Sequence, residues 1–170
     1  MRTPPTGLQA EFPDDAQIRQ YGDLAFLYLR SVPHQRWSVS DLRRAMQPPV
    51  DLGQLRIFYH EGAPRAAFTF ALLNPETEAK LISGQMLDPS DWRSGSILWV
   101  VEMIMPYGQE TGADMVRWLK AHLPDTVDRV RYLRTKRADR PAKVIEVRRI
   151  EGARWGTRVV TPKLTTEEHA

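Results

Sequence analysis

Ser31, His34 and Trp37 are spaced three residues apart in the stretch Ser31-Val32-Pro33-His34-Gln35-Arg36-Trp37. An imidazole titrates at about pH 6.5 when unperturbed, so histidine is the natural proton carrier for a reaction run near neutrality. A hydroxyl three residues earlier can hydrogen-bond such a ring, and an indole follows three residues later. Glu102 is the second candidate, because it interrupts the apolar run from Ile97 to Met105. An ionised carboxylate in such a run is costly unless it is paired. It either binds an arginine of a neighbouring strand, faces solvent at a sheet edge, or faces a cleft and orients a histidine. His34, too, can be a hydrogen-bonded structural residue, and Trp37 a core anchor beneath the next helix. His60 at a strand end, His122 late in a helix where a cation suits the dipole, and His169 in the tail read as structural or incidental.

The elements around His34 must hold it on a short turn. Apolar positions Ile18, Tyr21, Ala25, Tyr28 and Leu29 follow a helical period from Asp15, with Asp14 or Asp15 as cap. Pro33 lacks an N–H and pushes Val32 out of helical angles, so that helix ends near Ser31. Ser38 and Asp41 have capping-box spacing for a second helix, expected over Ser40–Met46 and stopped by Pro48-Pro49. Two β-rich runs, Gln54–His60 and Arg65–Leu73, flank Glu61-Gly62-Ala63-Pro64, a hairpin signal with a loop of about four residues. Asn74-Pro75 opens a helix over Glu76–Ser83, with Gly84 as its stop. Ile97–Met105 suits a central strand buried on both faces, and Thr111–Leu123 has helical spacing. Val127–Leu133, Lys143–Arg149 and Thr157–Val160 complete the strands. The order predicts an α+β fold, a single mixed and mostly antiparallel sheet with helices packed on it.

With 170 residues, 42% hydrophobic and 26% charged, the chain can bury a proper core. One domain is expected over residues 14–161, with a flexible arm at 1–13 and a tail at 162–170. No run of about 18 apolar residues occurs, so no membrane span is expected. The opening residues lack the apolar stretch of a signal peptide, which points to the cytoplasm. The absence of cysteine excludes disulfides, thiol nucleophiles and thiolate metal sites. Neither a P-loop, a dinucleotide-binding glycine motif nor H-E-x-x-H is present, and no metal or tightly bound cofactor is expected. Gly108–Ala113, between a strand and a helix, could hold an anion on its N–H groups, but a plain connection is the simpler reading.

Net charge is +3, unevenly spread: residues 129–158 carry eleven Lys/Arg against three acids. That half suits an acidic partner, or is a solvated arginine-rich surface.

Three spaced motifs, taken together, resemble the RTX toxin-activating lysine acyltransferases over roughly Tyr21–Arg149. They are Ser31-x-x-His34-x-x-Trp37, Asp91-Trp92-x-Ser94-Gly95, and Trp99-Val100-Val101-Glu102-x-Ile104-x-Pro106-Tyr107-Gly108. The resemblance implies a fold like that of the GNAT acyltransferases, often dimeric, working in the cytoplasm. It implies transfer of a fatty acyl group from the phosphopantetheine thioester of acyl carrier protein to internal lysine ε-amines of an RTX protoxin. The family's catalytic histidine falls on His34, its associated serine on Ser31 and its catalytic aspartate on Glu102, one methylene longer here. The family's basic surface would correspond to Arg134, Lys136, Arg137 and Arg140, since acyl carrier proteins are acidic.

The chemistry agrees with that assignment. A lysine amine is mostly protonated at pH 7 and must lose a proton before attacking a thioester. His34 would be general base or acyl relay, Glu102 its orienting carboxylate and Ser31 its hydrogen-bond partner. Phe58, Tyr59, Phe68, Phe70 and Trp99 could line an acyl slot, although core is the commoner fate of such residues. The competing reading is a non-catalytic binding module that uses the Arg129–Arg158 half to grip nucleic acid or an acidic carrier protein. It leaves His34 and Glu102 without a role.

Overall fold

A computed structural model describes residues 12–108, 110–134, 143–150 and 154–160. Nearly all of the expected arm, the C-terminal tail, and Lys136, Arg137 and Arg140 lie outside the described residues. Helix α1 spans Asp15–Tyr28. Asp14 caps it reciprocally with Gln17: Gln17 N–H donates to Asp14 Oδ1 at 2.8 Å, and Asp14 N–H to Gln17 Oε1 at 3.0 Å. Its inner face buries Leu24, Leu27 and Tyr28.

Ser31 has extended backbone and opens a 3₁₀ turn, Val32–His34. Ser38 then caps α2, Val39–Leu52, through the expected box with Asp41. This helix runs six residues past the predicted stop, straight through Pro48-Pro49. Two i→i−4 bonds are lost there, but both prolines and Val50 are buried, and packing outweighs propensity. Gly53, at φ +64°, ends the helix, with Gln54 N–H donating to Pro49 O at 2.7 Å.

Strands β1 (Leu55–His60) and β2 (Ala63–Leu73) pair antiparallel. Their loop is two residues, not the expected four. Glu61 and Gly62 both take positive φ, 50° and 77°, as the tightest hairpin turns demand. Pro64 is accommodated inside β2 next to a register shift at Phe58/Tyr59. Helix α3 (Pro75–Ile82), capped by Asn74, and strand β3 (Ile97–Ile104) follow as predicted. Leu98, Trp99 and Val100 are buried in succession, as a strand covered on both faces requires; from Val101 to Met103 the burial relaxes. Helix α4 (Glu110–His122) and strands β4 (Arg129–Arg134), β5 (Lys143–Ile150) and β6 (Arg154–Val160) complete the chain.

The strands form one mixed sheet in the order β1-β2-β3-β4-β5-β6. β3 and β4 are parallel, whereas β4–β5 and β5–β6 are antiparallel. The α+β layout is the one the sequence predicts. The chain groups into two compact units, one from Met1–Phe70 and Glu102–Arg117, the other from Ala71–Val101 and Trp118–Ala170.

In the second unit the Asp91-Trp92-x-Ser94-Gly95 motif has a structural task. Trp92 is buried, and Ser94 Oγ accepts from Asn74 N–H at 3.2 Å and bonds Thr77 Oγ1 at 2.7 Å, bracing the start of α3. Gly95 N–H donates to Leu72 O at 2.9 Å, so close that a Cβ at Gly95 would overlap the backbone of Leu73 and Asn74. Backbone cannot yield as a flexible side chain does. Gly95→Ala is therefore expected to cost about 3 kcal/mol, read as a lower urea midpoint at unchanged slope; a loss below about 0.5 kcal/mol would show that the α3 junction tolerates the methyl.

Candidate active site

The site is assembled in the first unit from the end of α1, the 3₁₀ turn and β3. The turn is fixed by its own backbone: Ser31 N–H donates to Tyr28 O (3.1 Å), His34 N–H to Ser31 O (2.9 Å) and Trp37 N–H to His34 O (3.0 Å). These bonds roll the chain so that Ser31 and His34 point inward and are buried, while Val32, Pro33, Gln35 and Arg36 face solvent. The imidazole packs edge-on against two rings, Tyr28 at 4.9 Å and Trp37 at 4.5 Å between centroids, both within a few degrees of perpendicular. Such T-shaped contacts favour one ring orientation.

Both ring nitrogens are engaged. Nδ1 lies 2.7 Å from Ser31 Oγ, and Nε2 lies 3.4 Å from Glu102 Oε2. His34 is 8% exposed, whereas the Glu102 side chain keeps 29% of its surface open. Glu102 thus lies against the histidine with part of its side chain open to solvent. An ionised carboxylate only accepts, so the nitrogen facing it must carry the proton. In the neutral ring Nε2–H therefore donates to Glu102, and Nδ1 holds the lone pair that accepts the Ser31 O–H. Hydroxyl, imidazole and carboxylate follow one another in the order of a Ser–His–acid triad, with the two ring nitrogens exchanged.

Tyr28 is the residue whose part the sequence does not reveal. Its helical period accounts for its burial but not for its contact with the imidazole. Burial first, and the Glu102 charge second, push its phenol well above the ordinary value. It therefore stays protonated, a neutral wall beside the ring.

The sequence has a family counterpart. The model of the HlyC family, the RTX toxin acyltransferases, matches residues 15–149. The chain belongs to the RTX toxin acyltransferase family. Among curated relatives, the protein-lysine palmitoyltransferase CyaC of Bordetella bronchiseptica is 30% identical over 128 residues, covering 75% of this chain and 68% of its own. The protein-lysine myristoyltransferase RtxC of Kingella kingae is 33% identical over 93 residues, 54% of this chain and 56% of its own. A solved GNAT-like decarboxylase in complex with isobutyryl-CoA is similar over 68% of this chain and 61% of its own, at TM-score 0.46 and 21% identity.

The other sequence candidates distribute differently within this family member. Phe68 and Trp99 are buried, Phe58 and Phe70 half-buried and Tyr59 exposed, with its hydroxyl bound to Asp23 at 2.7 Å. His122 stacks on Trp118 and bonds its carbonyl, and His60 is exposed. Arg134 is exposed at the end of β4. No helix among the described residues is long and apolar enough to cross a membrane.

Arg129, Arg131, Arg149 and Arg158 of the basic half are paired with carboxylates. Glu146 is 0% exposed and lies in register with Arg131 on β4 and Arg158 on β6. Arg131 Nε and Nη2 grip its Oε2 at 2.9 and 2.8 Å; Arg158 Nε and Nη2 grip Oε1 at 2.9 and 2.6 Å. Arg131 also donates to Glu78 on α3, which accepts from Trp99 Nε1 at 3.0 Å. Arg129 pairs with Asp128 and Arg149 with Asp125. Burial pushes the Glu146 carboxyl up, but the hydrogen bonds and charges of Arg131 and Arg158 outweigh it and hold the group below its ordinary value.

A carboxylate depressed in the folded state stabilises fully above its unfolded value, about 4.3, and loses that contribution as pH falls through the folded value. Glu146→Gln should therefore cost about 2–3 kcal/mol at pH 7, and the gap from the parent should narrow below about pH 4. Urea melts at pH 7, 5 and 3 measure it. A gap independent of pH would show that the ionised carboxylate contributes nothing.

Proposed function

We propose that the protein is a protein-lysine fatty acyltransferase, moving an acyl group from acyl carrier protein to lysine ε-amines of an RTX-type protein. The reading rests above all on one observation: a buried imidazole bracketed by Ser31 at Nδ1 and Glu102 at Nε2. The family supports the reaction type, and relatives named as palmitoyl- and myristoyltransferases of protein lysines support a long-chain donor and an amine acceptor.

His34 is the base. As the neutral lysine amine, its ammonium proton already released to solvent, adds to the thioester carbonyl, its next proton passes to Ser31 Oγ while the Ser31 proton passes to Nδ1. Glu102, held by Nε2–H, stabilises the imidazolium that forms, as the acid of a triad does. Collapse expels the thiolate of the carrier, which takes the proton back from His34. Acyl-lysine and free carrier thiol leave, and the imidazole is neutral again. The walls of Tyr28 and Trp37 keep the ring from turning out of this alignment.

His34→Ala should lower turnover by about 10²- to 10⁴-fold and Glu102→Gln by a similar order, with folding retained. Glu102→Asp, which keeps the charge, should lose less than Glu102→Gln. The assay supplies long-chain acyl carrier protein and an RTX acceptor and scores acyl-lysines by mass spectrometry. Full turnover in His34→Ala would remove the base. Intact mass after donor alone tests the route: an acyl adduct on the enzyme, absent in Ser31→Ala, would replace direct transfer by a Ser31 acyl-enzyme.

A further inference from the structure

The turn that buries Ser31 and His34 exposes almost everything else it carries. Leu29, Val32 and Val39 are 68%, 74% and 83% exposed, three large apolar side chains within eleven residues. Scattered apolar residues on a surface are ordinary, but a cluster framing a site marks a contact surface. Cations are interleaved with them: Arg30, Arg36 and Arg43 are exposed. Arg30 lies 3.6 Å over the Phe26 ring and donates to Phe26 O, and Arg43 donates to Gln47 Oε1 at 2.9 Å, both uncharged acceptors. From Leu29 to Arg44 the one acid is Asp41. Its carboxylate is engaged in capping α2, at 2.8 Å from Ser38 N and 2.7 Å from Ser38 Oγ.

We infer that the Leu29–Arg43 surface is the docking face for an acidic acyl-donating carrier protein. The inference rests on the donor reading given above. A thioester carried on a protein must reach Ser31 and His34, so the carrier has to abut the residues that frame them. Arginines between apolar side chains match an acidic partner with an apolar contact patch. The same charges disfavour the acceptor, which presents an ammonium. The donor and the lysine therefore approach from different sides. This places the carrier's footprint on the turn that bears His34, as an alternative to the Arg134, Lys136, Arg137 and Arg140 surface that the family resemblance implies.

Two donors carrying the same acyl group test the assignment, one on acyl carrier protein and one as the N-acetylcysteamine thioester. In Arg36→Glu/Arg43→Glu the KM for the loaded carrier should rise about tenfold, the KM for the small thioester should stay at the parent value, and the melting temperature should hold. Added salt should raise the parent's carrier KM and scarcely move that of the double variant. Val32→Ser/Val39→Ser should raise the carrier KM as well, and Arg134→Glu should not. An unchanged carrier KM in the Arg36/Arg43 variant overturns the docking face, as does an equal rise for both donors. Loss of binding to phosphatidylglycerol vesicles with unchanged carrier KM would assign the face to a lipid surface instead. If the parent enzyme accepts the small thioester but never the loaded carrier, the donor reading itself fails, a result distinct from a misplaced footprint.

Discussion

A buried imidazole is useful for proton transfer only when both nitrogens have partners, and that requirement organises the first unit. Nδ1 and Nε2 lie on opposite sides of the ring, so one partner must come from the turn itself and the other from elsewhere in the chain. Ser31 is the local partner, at the fixed spacing a 3₁₀ turn gives. Glu102 is the distant one, sixty-eight residues away in sequence, brought in on β3. The capping boxes of α1 and α2, the proline that breaks the chain between them, and the loosening of β3 after Val100 all serve this single alignment.

The features legible in the sequence are those that local chemistry decides. Pro33 and the Ser38–Asp41 box define the turn whatever surrounds it, and a carboxylate in an apolar strand demands a partner. The identity of that partner is less local, because His34 and the strand arginines compete for it. What the sequence hides is decided by packing and register. Pro48-Pro49 should break a helix, yet the buried pair is tolerated inside α2. The run of arginines looks like open surface because the acids that neutralise several of them, Glu78, Asp125 and Asp128, lie before residue 129. Glu146 sits inside the counted stretch, but its role depends on β4, β5 and β6 being side by side.

Two carboxylates in apolar strands have thus met opposite fates. Glu146 is fully buried between two guanidiniums, its proton affinity lowered and its oxygens saturated. A group so held adds rigidity and has little capacity to respond to a reaction. Glu102 is part-exposed, with a 3.4 Å contact to Nε2. In the proposed mechanism it would tighten that contact as the imidazole becomes positive. The extra methylene of glutamate relative to aspartate supplies reach, and the 3.4 Å separation leaves room to close.

The same distinction separates the arginines. Arg129, Arg131, Arg149 and Arg158, on β4, β5 and β6, are paired with carboxylates. Arg30 just after α1 and Arg43 on α2 give N–H groups to a carbonyl and an amide oxygen, which leaves their charge uncompensated by those contacts. Charge that neutralises an internal partner cannot attract an external one at long range, since the field of a tight pair falls off as a dipole. Arg30 and Arg43, beside the turn that buries His34, therefore keep a longer-ranged field than the paired arginines of the sheet.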